Sequence, residues 1–296
     1  MSRFKFFEEP QEVEQARETD RIHLRLLPSR NHRFSIRYHT QFFAMGQKVT
    51  DVQTEIIWIL KIVDVFEDGY LVDIEVENHE VFNANPAFKE MIEFSKAFNY
   101  PTQKLVIKLN KQGSIERVLN QEEIVERWEE IKGDVLEPLK NTAGDQELLK
   151  NGDQQFGDLL PSLKETLLYT VFFSPVLGEK LVKNEHPIGE GSFSSQLFQG
   201  IHVPYQIRET LQSTDSAGFQ CGHKAYIEKT VGADLTKLYN QSYKELCGPK
   251  FSYEIDYQAD YNFDWSTGLL TLCRAVFKEK ANDGLYFQTD FTIKRI

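Results

Sequence analysis

Residues 251–264 read FSYEIDYQADYNFD, and in them Phe251, Tyr253, Ile255, Tyr257, Ala259, Tyr261 and Phe263 alternate with Ser252, Glu254, Asp256, Gln258, Asp260, Asn262 and Asp264. A period of two places successive side chains on opposite faces of an extended chain, so this stretch is a long strand with one apolar and one solvated face. Such a division belongs to antiparallel sheets. Trp265-Ser266-Thr267-Gly268 turns the chain back, residues 270–277 supply a partner strand, and Asn282-Asp283-Gly284 turns it again into Phe287, Thr289, Phe291 and Ile293. The chain therefore closes on a three-stranded meander.

Working outward, residues 22–81 repeat the pattern, with Phe34, Ile36 and Tyr38 on one face and a nearly continuous apolar run over residues 56–66. That run predicts a strand covered on both sides, and Glu67-Asp68-Gly69 turns it into the next. Asn85-Pro86 opens a helix carrying Phe88, Met91, Ile92, Phe94 and Phe98 at helical spacing. A second hairpin turns at Lys111-Gln112-Gly113, where the glycine meets a need for positive φ. Asn120 then caps a helix with an acidic first turn and a buried stripe of Ile124, Trp128, Ile131 and Val135. Residues 141–157 are polar and dotted with glycine and predict an exposed connection. Residues 156–176 return to a helical pattern despite Pro161, and residues 183–193, with Pro187, Gly189 and Gly191, predict a loop. From residue 199 the chain is strand again, broken by a helix over 233–246.

Helices grouped between two strand-rich blocks exclude a parallel sheet with alternating helices. The expected fold is α+β: a large curved antiparallel sheet of about 11–12 strands, half-barrel-like, with about four helices packed on it. Residues 1–20 read as a polar N-terminal extension and residues 21–296 as one β-rich domain, the alternative being a split near residues 141–157.

The chain of 296 residues carries 34 basic and 45 acidic side chains, a formal charge of −11, which removes the electrostatic footprint of a general nucleic-acid or anionic-membrane binder. Between residues 121 and 153 there are ten acidic and four basic residues, a net of −6, so over half of the charge gathers there. The first twenty residues hold six acidic side chains and no long apolar run, unlike a signal peptide, and no apolar stretch approaches the ~20 residues of a membrane-spanning helix. Cys221, Cys247 and Cys273 form neither a disulfide framework nor a metal-ligand spacing, so they read as reduced, packed thiols. The expected setting is the cytoplasm, unless a native leader has been removed.

Phosphate loop, dinucleotide fingerprint, nucleophile elbow and zincin helix are all missing. Gly189-Glu190-Gly191-Ser192 is glycine-rich but lacks the lysine and helix start that a phosphate site needs. Cys221-Gly222-His223 puts a thiol and an imidazole on one strand face, yet the sequence supplies no second ligand pair or orienting acid beside them. No metal, cofactor or catalytic residue is assigned. Phe4, Phe6 and Phe7 form an apolar cluster that could add to a partner's sheet or groove. Phe42, Trp58, Tyr253, Tyr257 and Tyr261 are the candidate lining of a concave aromatic surface able to hold an apolar ligand.

Asp68-Gly69, Asn85-Pro86, Gly113, Asn120 and Trp128, in this order of elements over the first half of the chain, resemble bacterial proteins related to the lipoprotein-carrier (Lol-type) half-barrels. The resemblance implies an incomplete barrel closed by helices that shelters acyl chains, in an exported protein that works by binding, so it assigns no catalytic residue. The expected function is that of a non-enzymatic binding protein recognising a protein partner, with no nucleic acid and no transmembrane segment. The alternatives are a carrier of a lipid or other apolar ligand in the concavity, and a hydrolase with a carboxylate pair that sequence does not expose.

Overall fold

The computed structural model describes residues 21–83, 96–134, 143–181, 185–227 and 232–296. The N-terminal half supplies strands β1 (Arg21–Leu24), β2 (His32–Ala44), β3 (Gln47–Phe66), β4 (Gly69–Phe82), β5 (Lys104–Asn110) and β6 (Ile115–Val118). Four helices follow: α1 (Gln121–Asp134), α2 (Ala143–Gly157), α3 (Leu159–Glu165) and α4 (Leu167–Phe172). Then come β7 (Gly178–Leu181), β8 (His186–Ser194), β9 (His202–Thr214) and β10 (Gly218–Ile227), helices α5 (Gly232–Ser242) and α6 (Lys244–Cys247), and the meander β11 (Glu254–Asp264), β12 (Leu270–Asn282) and β13 (Leu285–Arg295).

Eleven strands form one antiparallel sheet in the order β6-β5-β4-β3-β2-β13-β12-β11-β10-β9-β8, and β1 pairs with β7 separately. The sheet is curved and open. Two blocks of sequentially adjacent strands meet where β2 pairs with β13, in a register running from Phe34 opposite Arg295 to Phe43 opposite Tyr286. Strands β2 and β13, early and last in the chain, thus meet in the middle of the sheet, and its free edges, β6 and β8, flank the helical segment. The α+β curved sheet expected from strand patterning is the fold observed.

Alternation sets the core. Trp58, Leu60 and Ile62 of β3, Val72 and Ile74 of β4, and Tyr257 and Tyr261 of β11 face inward and are buried together with α1 to α4. A second, smaller cluster of Leu197, Phe198, Leu235, Tyr239, Ala281 and Leu285 holds α5 against one end of the sheet. In α1, Trp128 packs on Phe98 and Phe156, with ring centroids 5.5 and 4.8 Å away, and its Nε1 donates to Asp153 at 2.8 Å. An indole is buried at small cost when its single donor finds an acceptor.

Several local expectations are corrected. Residues 143–157, expected as an exposed connection, form α2, because docking against Trp128 outweighs three glycines and an asparagine of poor helix propensity. Residues 186–194, expected as a loop, form β8. It is an edge strand, where proline and glycine are tolerated. The described residues hold six helices, more than the four expected. The helical stretch after Pro161 breaks at Thr166, whose ψ of 122° is extended. Asn120 accepts from Ile124 N through its carbonyl, but its side chain is turned onto β5, accepting from Val106 N and donating to the Lys104 carbonyl. The run over residues 56–66 is buried on one face only: Ile57 and Ile59 are half-buried and Val63 is exposed on the other. Strand β11 begins at Glu254, and Phe251 and Tyr253 pack in the second cluster instead of extending it. The helix expected from Asn85-Pro86 lies outside the described residues except for its last turn, where Lys96 and Ala97 are helical.

Candidate functional site

The concave face is plugged at its centre by α4. Phe172 meets Phe34 edge-on at 5.1 Å and Trp58 at 5.0 Å, while Tyr169 lies 5.3 Å from Trp58. Below the helix, Tyr261 donates to the Val171 carbonyl at 2.9 Å, and its hydroxyl lies 3.1 Å from that of Tyr257. Burial pushes the Tyr257 and Tyr261 phenols far above their usual range, so they are neutral partners in a closed network.

Two of the five candidate lining residues, Tyr257 and Tyr261, are therefore consumed by packing against the plug. Phe42 and Tyr253 pack at the edge of the second cluster, where the Tyr253 hydroxyl donates to Glu279 at 2.8 Å. Glu279 is fully buried; desolvation pushes its pKa up, against hydrogen bonds from Ser195, Tyr253 and the Gln196 amide. Those bonds tie the β8–β9 turn to β12. Trp58 alone of the five lines a cavity described here, a space of about 560 Å³ bounded also by Tyr38, Val76, Leu168 and Phe291. Phe4, Phe6 and Phe7 lie outside the described residues.

A larger cavity of about 900 Å³ opens on the other side of the plug, between the β5–β6 hairpin and strands β8 and β9. Its apolar lining comes from Ile115, Leu160, Leu163, Phe173, Ile188 and Ile207, and Lys164, Glu165 and Glu190 contribute charge. Tyr205 also lines it, with a phenol pushed up to about 12 by burial. Its place follows from topology: α3 contacts both edge strands, so it spans the gap that the open sheet leaves. Glu165, at the end of α3, is held to β8 by Ser194 Oγ, which donates to it at 3.0 Å. Glu165 and Tyr169 border both cavities, which makes the α3–α4 junction the partition of one long concavity. The site is not legible in the sequence because its walls come from elements distant in the chain, one of which, β8, has the proline and glycines of a loop.

Behind the β8–β9 wall lies a buried polar cluster. Antiparallel register sets His186 of β8 opposite Glu209 of β9, and Glu209 opposite His223 of β10. The alternation of β10 puts Cys221 on the same inner face as His223. His223 Nε2 is 2.9 Å from Glu209 Oε2 and 3.8 Å from Cys221 Sγ, and His223 Nδ1 is 2.9 Å from Ser174 Oγ. His186 Nε2 is 3.8 Å from Glu209 Oε1. The pair Cys221 and His223, visible in the sequence without an orienting acid, thus acquires one from the neighbouring strand. The Gly189–Ser192 segment is part of β8 and not a phosphate-cradling turn before a helix.

No protein-family model matches the chain, and no curated protein matches it. Among solved structures, a lipovitellin described for its lipid–protein interactions is similar at a TM-score of 0.41 and 8% identity, over 92% of this chain. The chain spans about a quarter of that protein, 25% of its length. An outer membrane channel from Pseudomonas putida F1 is similar at a TM-score of 0.22 and 7% identity, over 92% of this chain and 97% of the channel. Among the described residues no helix is long and apolar enough to cross a membrane.

Proposed function

We propose that this chain is a non-enzymatic binding protein that holds an amphiphilic molecule, its apolar part in the cavity of about 900 Å³ between the sheet's two edges. That cavity carries the reading: its volume lies in the range of small-molecule sites, and its lining joins apolar side chains to polar ones such as Asn110, Gln112 and Ser192, as an amphiphile requires. Lys164, Glu165 and Glu190 would face the polar end of such a ligand, and Ile115, Leu163 and Ile207 its hydrocarbon. Among the described residues no feature comparable to that cavity speaks for a protein partner; Phe4, Phe6 and Phe7, from which that role was expected, lie outside them.

Native mass spectrometry of the purified chain, followed by denaturing extraction, tests for a co-purifying apolar adduct. In parallel, the adduct-free protein is titrated with the amphipathic probe N-phenyl-1-naphthylamine. Saturable binding is expected. Ser192→Trp, which fills the cavity from β8, should weaken it by roughly tenfold or more, as overpacking a site costs ~1–3 kcal/mol, while Lys61→Trp on the exposed face leaves it unchanged. Neither adduct nor saturable probe binding would reject the proposal.

A further inference from the structure

The geometry points to a buried divalent transition-metal site, of the kind zinc occupies, formed by Glu209, Cys221 and His223. One oxygen, sulfur or nitrogen atom from each of the three lies within 4.8 Å of the other two, and all three residues are buried. A carboxylate, a thiol and an imidazole are the ligand types that zinc-like ions take, and in tetrahedral sites such donors stand 3 to 4 Å apart, roughly twice the sine of half the tetrahedral angle times a ~2.0–2.3 Å bond. The 3.8 Å between His223 Nε2 and Cys221 Sγ falls in that range, and the 2.9 Å between Nε2 and Glu209 lies just below it, so a small outward shift of the carboxylate admits an ion.

Without a metal, the His223 ring N–H and the Cys221 S–H are the donors of this cluster and Glu209 its acceptor. A cation at the common focus takes a lone pair from each. Ser174 completes the pattern on the far side of the ring: with Nε2 on the metal, Nδ1–H donates to Ser174 Oγ at 2.9 Å, the outer hydrogen bond that fixes a ligating imidazole's tautomer and orientation. His186, 3.8 Å from the second Glu209 oxygen, is the nearest further donor for a fourth position. Binding releases the thiol proton of Cys221 to solvent, while the single proton of the neutral His223 ring resides on Nδ1, so the ion is held by a thiolate, a carboxylate and a neutral imidazole.

The site would couple two parts of the fold. Ser174 lies two residues beyond the end of α4, and its neighbours Phe173 and Pro175 line the large cavity, as does Ile207, two residues before Glu209 on β9. An ion there would fix the end of the helical plug to β9 and β10. This inference stands on the cluster alone and does not depend on the cavity holding a ligand.

The full-length chain, dialysed against chelator, is titrated with zinc against a chromophoric competitor and separately with Co(II), a spectroscopic substitute for zinc. One ion per chain is expected, together with a near-ultraviolet thiolate-to-Co(II) charge-transfer band. Cys221→Ser should abolish that band and Cys247→Ser should keep it. Ser174→Ala should weaken zinc binding by roughly 10–100-fold, the usual effect of losing an outer hydrogen-bond partner. The wild-type spectrum decides the matter even if a variant fails to fold: a wild-type chain that yields zinc completely to the competitor and shows no thiolate band overturns the proposal. A band that survives Cys221→Ser, or vanishes with Cys247→Ser, overturns it equally.

Discussion

Gly152 faces Trp128 so closely that an added Cβ would lie 2.2 Å from the indole ring. The ring is fully buried and hydrogen-bonded and cannot give way cheaply, so Gly152→Val should lower stability by about 1–3 kcal/mol in chemical denaturation. Asp264 shows a different residue-level control. Desolvation raises its pKa, but hydrogen bonds from Ser266, Arg295 and Thr267 outweigh it and hold the carboxyl well below its ordinary 3.8. A pKa depressed in the folded state contributes stability that is fully present above the unfolded value and lost as pH falls through the folded one. Wild-type stability should therefore decline below about pH 4 more steeply than that of Asp264→Asn, and the gap between the two at pH 7 should narrow on acidification. Equal slopes in pH-dependent denaturation would show that the ionised carboxylate adds nothing. Helical spacing makes the Trp128 stripe legible in the sequence, whereas the partner that demands a glycine at position 152 appears only once α2 is docked.

At the scale of elements, Asn120 joins a helix to a sheet. Its Oδ1 accepts from Val106 N at 2.8 Å and its Nδ2 donates to the Lys104 carbonyl at 3.0 Å, so the start of α1 is anchored to β5. Asn120→Asp preserves the acceptor but turns a carboxylate oxygen toward that carbonyl, and should cost about 1–3 kcal/mol, the usual penalty for leaving a buried polar group without its partner. A stability equal to wild type in urea titration would show that water replaces the lost donor. The misread elements share one cause. In residues 141–157 and 183–193, glycine, proline and asparagine are signals of loops, but the same residues are admitted by a helix docked on an aromatic ring and by an edge strand. Local propensity is a weak prior where tertiary contacts supply the stabilisation.

On the scale of the whole molecule, β13 is the strand that ties the two blocks together, because it pairs with β12 on one side and with β2 on the other. Removing residues 285–296 should abolish the cooperative unfolding transition of the full chain, monitored by tryptophan fluorescence and far-ultraviolet circular dichroism. Two separate transitions in the intact protein would instead mark the blocks as independent. Pairing β2 with β13 requires closing almost the entire chain, so folding should be slow for the size of the protein.

The fold class was legible because strand alternation is written locally: the five apolar positions from Ile255 to Phe263 that β11 carries alternate with polar ones, as an antiparallel sheet with one wet face requires. Charge and the grouping of helices between strand blocks were likewise properties of the chain alone. The joining of β2 to β13, the cavity between the free edges, and the meeting of Glu209 with Cys221 and His223 were not, because each depends on the register between strands distant in sequence. Alternation tells a side chain which face it occupies, and hydrogen-bonded pairing between strands then decides what stands beside it.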